Sequence, residues 1–113
     1  MISNIDDLRH WARDVATGTL LKPATQRERT KFRTAPGEGG ATYGLALQNY
    51  NGWISHHGNI AGYVTYPFYL LAERTTMVVA FNSNANPLGS AQTMRAITKV
   101  ITPKHLWPIP TPD

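Results

Sequence analysis

The chain has 113 residues, of which 42% are hydrophobic and 16% charged, and it contains no cysteine. That length supports one domain with a core of modest size, and the apolar share excludes global disorder. The absence of cysteine excludes disulfides, thiolate chemistry and Cys-based metal sites.

The net charge of +4 raises the question of nucleic-acid binding. The densest basic stretch, Arg27-Glu28-Arg29-Thr30-Lys31-Phe32-Arg33, matches no groove-reading motif and fits a solvated helix end and loop. No nucleic-acid partner is therefore expected. The N-terminus, Met1 to Asp7, has neither a basic region nor an apolar run. It is not a signal peptide, so the chain as written reads as cytoplasmic. No stretch approaches the roughly 20 apolar residues that a membrane span needs.

In chain order, Ser3 can cap a first helix, with Asp6 in the capping-box position. Ile5, Leu8, Trp11, Ala12 and Val15 form one apolar stripe at helical spacing, and Gly18 stops the helix. The spacing predicts a helix from about Ile5 to Ala16. Pro23 suits the first turn of a short second helix, running to about Thr30 and too polar for the core. Thr34 to Ala41, with Pro36, Gly37, Gly39 and Gly40, reads as a mobile loop.

The middle of the chain is β-type. Tyr43 to Gln48 alternates large residues with small or polar ones, as a half-buried strand does. Asn51-Gly52 signals a hairpin into Trp53-Ile54-Ser55-His56. Gly58 and Gly62 suggest a bend. Tyr63 to Leu71 is a further strand in which Pro67 argues for an unpaired or bulged position. Ala72-Glu73-Arg74 turns the chain into Thr75 to Phe81, a nearly continuous apolar strand expected to be buried on both faces. Ala91, Met94, Ile97 and Ile101 mark one face of a last helix, which Pro103 ends. Pro108 to Asp113 is expected to be extended or disordered. The fold class is therefore α+β: an antiparallel meander of three or four strands, with N-terminal helices and a C-terminal helix packed on the sheet.

The run Gly52-Trp53-Ile54-Ser55-His56-His57-Gly58-Asn59-Ile60-Ala61-Gly62-Tyr63 resembles the strand and turn carrying the third active-site motif of the serine β-lactamases and D-alanyl-D-alanine peptidases. Members near the class C enzymes often have His-x-Gly there. Tyr43-Gly44-Leu45-Ala46-Leu47 is similar to the family's Tyr-Gly-Leu-Gly strand. Val78-Val79-Ala80-Phe81-Asn82-Ser83 is similar to its strand ending in Asn. Asp7-Leu8 after Met1-Ile2-Ser3 is similar to its helix entry. In these terms residues 1–102 form a truncated β-lactamase-like region, and residues 103–113 a proline-rich tail. The resemblance implies that His56 is the motif's cation, His57 its polar second residue, Gly58 the close-approach glycine and Asn59 an oxyanion-hole N–H donor. His57 departs from the Thr, Ser or Asn usual at that position. As adjacent residues in a strand, the two histidines are expected to point to opposite faces. Full-length relatives are usually exported.

The family's chemistry needs a serine with a lysine three residues on, so that both side chains share one helix face. Here Ser3 is followed at that distance by Asp6, Ser55 by Gly58, Ser83 by Asn86 and Ser90 by Thr93. The second motif, Tyr-x-Asn or Ser-x-Asn, is absent too. There is no Gly-x-Ser-x-Gly elbow, His-x-x-x-His pair or phosphate-binding glycine loop, and no cofactor or metal is expected. On its own the chain is not expected to be an enzyme. Tyr63 to Phe81 is too apolar to be left wet, so self-association, strand exchange or a protein partner is expected to cover it. Two readings stay open: a non-catalytic module acting through protein association, and the C-terminal segment of a serine hydrolase whose nucleophile lies outside this chain.

Overall fold

The computed structural model describes residues 1–37 and 40–109. Two helices, seven strands and a third helix follow one another, an α+β arrangement as expected. Helix α1 is Ile5–Thr17, one residue longer than the periodicity predicts. Its cap is Asn4 rather than Ser3: the Asn4 side chain accepts from the Asp7 N–H at 2.9 Å. Asn4, like Ser3, carries an acceptor on a short side chain, and it stands one residue nearer the first turn. Gly18 closes the helix with φ of 75°. Helix α2, Pro23–Arg29, contributes no buried residue. It fastens α1 nonetheless, because the Gln26 amide donates to the carbonyls of Val15 and Ala16, both at 3.2 Å, where α1 has no further N–H to offer.

Strands β1 (Arg33–Thr34) and β2 (Thr42–Tyr43) flank the glycine-rich loop, of which residues 38 and 39 lie outside the described residues. The expected strand from Tyr43 to Gln48 is instead two strands with a turn between them. The Gly44 N–H donates to the Leu47 carbonyl at 2.8 Å, and Ala46 takes a φ of 53°. The chain thus leaves β2 and returns as β3 (Gln48–Tyr50). The Asn51-Gly52 hairpin forms as read, with φ of 52° and 95° and Tyr50 opposite Trp53. Positive φ at both corner residues matches the right-handed twist of the flanking strands.

Strand β4 (Trp53–Ser55) and β5 (Gly58–Ile60) both pair antiparallel with β6 (Tyr63–Leu70), in one unbroken register. Counting on from Ser55 opposite Phe68, His56 and His57 stand opposite Pro67 and Tyr66 before the ladder resumes at Gly58 opposite Thr65. Pro67 has no N–H for a rung, and the break lies where the sequence places an unpaired position. On its other side β6 pairs along its length with β7 (Thr75–Phe81). β7 has no second neighbour among the described residues, and Met77 is its one buried residue. That corrects the expectation of a strand buried on both faces: a continuous apolar run reads the same at an edge as in the centre.

The sheet has a hydrophobic cluster on each face. On one face Ala12, Val15 and Ala16 of α1 pack on Leu47, Ile54 and Tyr69, with Phe32 beside them. Of the predicted α1 stripe, Ile5 and Trp11 remain half exposed, so the sheet covers the stripe only in part. On the other face Ala91 and Met94 of α3 (Pro87–Ile101) pack on Trp53, Phe68, Leu70 and Met77. This core runs past residue 102 to Trp107, which is 2% exposed and stacks on Tyr50 at 4.4 Å. The Trp107 N–H donates to Thr98 Oγ1 at 2.9 Å, and its carbonyl accepts from Arg95 at 2.9 Å. Residues 110–113 of the proline-rich tail lie outside the described residues.

Candidate functional site

The residues singled out from the sequence, His56, His57, Gly58 and Asn59, occupy the break between β4 and β5 and the start of β5. Their local structure follows from two neighbours in the fold. Across β6, Pro67 cannot supply a rung, so the backbone is released from pleated geometry. On the β3 side, the buried Gln48 holds the next residue: its Oε1 accepts from the His57 N–H at 3.2 Å and lies 2.8 Å from His57 Nδ1.

Freed from the pleat, the two imidazoles do not point to opposite faces. They stack on one another with centroids 5.7 Å apart and planes 21° from parallel. This corrects the strand-alternation expectation, since a period of two holds only where the strand is continuous. Half-buried His57 continues the stack on to Tyr66 at 5.4 Å. Burial holds the Tyr66 hydroxyl above its ordinary value of 10.0.

His56 is exposed, yet both of its ring nitrogens are engaged. Its Nδ1 lies 2.7 Å from the His57 carbonyl oxygen, and its Nε2 lies 2.6 Å from the Tyr43 hydroxyl. A carbonyl only accepts, so Nδ1 carries a proton. In the neutral ring Nε2 is then bare, and the Tyr43 O–H donates to it. The resemblance assigns His56 the role of a cation directed at a ligand; in this structure its Nε2 is engaged by the Tyr43 hydroxyl.

Gly58, Asn59 and Ile60 are exposed, and β5 pairs only with β6, so the outer edge of the motif strand is open among the described residues. A Cβ built on Gly58 meets nothing within 4 Å. The chain's own packing therefore does not require glycine there. The Asn59 side chain accepts from Asn84 Nδ2 at 3.4 Å, and Asn84 Oδ1 accepts from the Gly62 N–H at 3.2 Å. These contacts tie the β5–β6 hairpin to the loop after β7.

The structure adds three residues to the site that the motif does not name: Tyr43, Gln48 and Tyr66. The Asn51-Gly52 hairpin carried the signal for Gln48, because pairing Tyr50 with Trp53 fixes Gln48 opposite Ser55 and next to the histidines. Ser55 is buried at 1% exposure and is not presented to an incoming ligand. Among the described residues no group of three or more His, Asp or Glu side chains could hold a metal ion. None of the described helices is long and apolar enough to cross a membrane.

No curated protein matches the chain. The Beta-lactamase family model matches residues 1–100, a span that holds the capped first helix, the motif strand, the apolar edge strand and nearly all of the last helix. With the histidine-glycine motif at an open strand edge and helices on both faces of an antiparallel sheet, the chain belongs to the beta-lactamase family.

Proposed function

We propose that this chain is a non-catalytic β-lactamase-like module that acts by associating with protein, a second copy of itself included. The observation that carries this reading is chemical. None of its serines has a lysine three residues on, and none of its tyrosines or serines has an asparagine two residues on. Without the first pair there is no activated hydroxyl to attack an acyl group. The association half rests on β7, which leaves one side of its seven residues unpaired among the described residues, with Val78 and Val79 only half buried. Such an edge is a template for another strand. Light scattering across a concentration series tests the association: the expected result is a mass above that of one 12.5 kDa chain, rising with concentration. A monodisperse monomer throughout, with no partner recovered, refutes it. Turnover of a chromogenic ester or a fluorescent penicillin by the purified chain refutes the non-catalytic half.

A second reading, that the chain supplies one wall of a serine hydrolase cleft, is favoured by Gly58. A glycine with open space where its side chain would be is unexplained by internal packing, and close approach by an outside molecule would account for it. In that case mixing the chain with a polypeptide that carries Ser-x-x-Lys produces ester turnover, and Gly58→Ala lowers it.

A further inference from the structure

Next to Tyr43, whose hydroxyl reaches His56, lies a cavity of about 270 Å³ lined by Glu28, Lys31, Arg33, Tyr43, Gly44 and Leu45. We propose that this cavity binds a small carboxylate, held by the Arg33 guanidinium and the Tyr43 hydroxyl, and that its occupancy is coupled to protonation of His56. The proposal goes beyond the association reading and holds whether or not the chain self-associates.

The charges lining the cavity are unbalanced in a specific way. Lys31 is neutralised by Glu28, with Nζ 2.7 Å and 2.9 Å from its two carboxylate oxygens. The Arg33 side chain has no ion pair or hydrogen bond among the described residues, so one cation is left over. Arg33 and Tyr43 are directly opposite in the β1–β2 pair, which places both side chains on the same face of the sheet. A guanidinium presents two parallel N–H groups that match a carboxylate.

The floor of the cavity is also fixed. The Leu45 N–H donates to the Arg29 carbonyl at 2.9 Å, and Arg29 Nε donates back to the Leu45 carbonyl at 3.4 Å. A Cβ on Gly44 would overlap that Arg29 carbonyl oxygen, so α2 and the β2–β3 turn meet with no room to spare. The volume is below that of pockets for drug-sized ligands, about 300–1,000 Å³, and suits a small one.

Coupling follows from the hydrogen-bond directions. While His56 is neutral, the Tyr43 proton is committed to Nε2 and is not available to a ligand in the cavity that Tyr43 lines. Once His56 is protonated, its Nε2–H donates to the Tyr43 oxygen, and the Tyr43 O–H is released to donate into the cavity. A bound carboxylate therefore favours the protonated ring, and protonation favours the carboxylate, by the same factor. The titratable and charged groups around this pair are Glu28 and Arg29 of α2, Lys31 after it, Arg33 of β1, His57 against the imidazole and Tyr66 behind His57. With Glu28 and Lys31 paired and Tyr66 held neutral, His56 is the group placed to couple through Tyr43.

The test titrates the full chain with benzoate, and with benzamide as the uncharged control. Backbone amides at Gly44 and Leu45 and the His56 side-chain nitrogens are followed by NMR. The expected result is saturable benzoate binding that weakens as His56 loses its proton, with benzamide inert. Arg33→Gln should weaken binding about tenfold or more. Tyr43→Phe should leave binding that depends less on His56 protonation, only the direct attraction of the imidazolium charge remaining, and Arg33→Lys should retain part of the affinity. Equal response to benzamide, no saturation, an unchanged affinity in Arg33→Gln, or an undiminished pH dependence in Tyr43→Phe would each overturn the proposal. None of these outcomes bears on the oligomeric state or on ester turnover, so they are separable from the association reading.

Discussion

Trp107→Ala measures whether the segment after the last helix belongs to the folding unit. The indole is almost wholly enclosed: it stacks on Tyr50 and meets Phe68 edge-on at 4.9 Å and Tyr66 edge-on at 5.8 Å. An aromatic of this size removes roughly 150–250 Å² from water, and truncating one to alanine in a core costs about 3–5 kcal/mol. An unfolding entropy of about 2.1 cal/mol/K per residue gives about 0.24 kcal/mol/K for 113 residues. The melting temperature should therefore fall by about 13–21 °C. Total stability of domains is about 5–15 kcal/mol, so a large part of it goes with this one side chain. Thermal unfolding followed by circular dichroism, with urea unfolding to check that the slope is unchanged, reads the effect. A shift below about 4 °C, equivalent to about 1 kcal/mol, would refute the placement of Trp107 in the core. Deleting everything after Thr102 should cost more still, since it also removes the His105 carbonyl that accepts from Trp53 Nε1 at 2.8 Å.

Two glycines should behave oppositely when changed to alanine. Gly44→Ala forces apart α2 and the β2–β3 turn and should cost about 1–3 kcal/mol, whereas Gly58→Ala meets open space and should stay within about 0.5 kcal/mol, both read by urea unfolding. Asn4→Ala should lose about 1 kcal/mol by removing the cap of α1, and Ser3→Ala should be neutral; the reverse result would restore Ser3 as the cap. Because burial raises the Tyr66 hydroxyl, the folded state holds its proton more tightly than the unfolded chain does. That contribution is complete below the ordinary tyrosine value and is lost as pH climbs through the raised one, so stability should fall at alkaline pH. Tyr66→Phe should flatten the fall, as measured by unfolding in urea across pH 8 to about 11.

The parts of the fold legible in the sequence are those set by local chemistry. The apolar spacing of Leu8, Ala12 and Val15 with Gly18 gives α1, Pro23 starts α2, and Asn51-Gly52 gives the tightest hairpin and its register. The turn at Leu45-Ala46 was not legible, because Ala46 carries no signal for its positive φ; the turn is held instead by Arg29, sixteen residues away. The position of β7 was hidden for another reason. Which strand lies at the edge depends on which neighbours exist, and residue type along Thr75–Phe81 does not record that. At the site, the glycine and histidine spacing pointed to the right place, but strand periodicity misplaced the rings. Their shared side depends on Gln48 and Pro67, which come from two other strands.

Pro67 gives the sheet a discontinuity that the histidines depend on. A residue with an N–H at that position would let the hydrogen-bonded ladder close across the gap and join β4 to β5 as a single eight-residue run. The pleat would then turn the two imidazoles away from each other. One ring's missing proton donor, in a strand that contains neither histidine, thus governs how both are presented, and Pro67→Val should undo the stack while leaving their sequence intact.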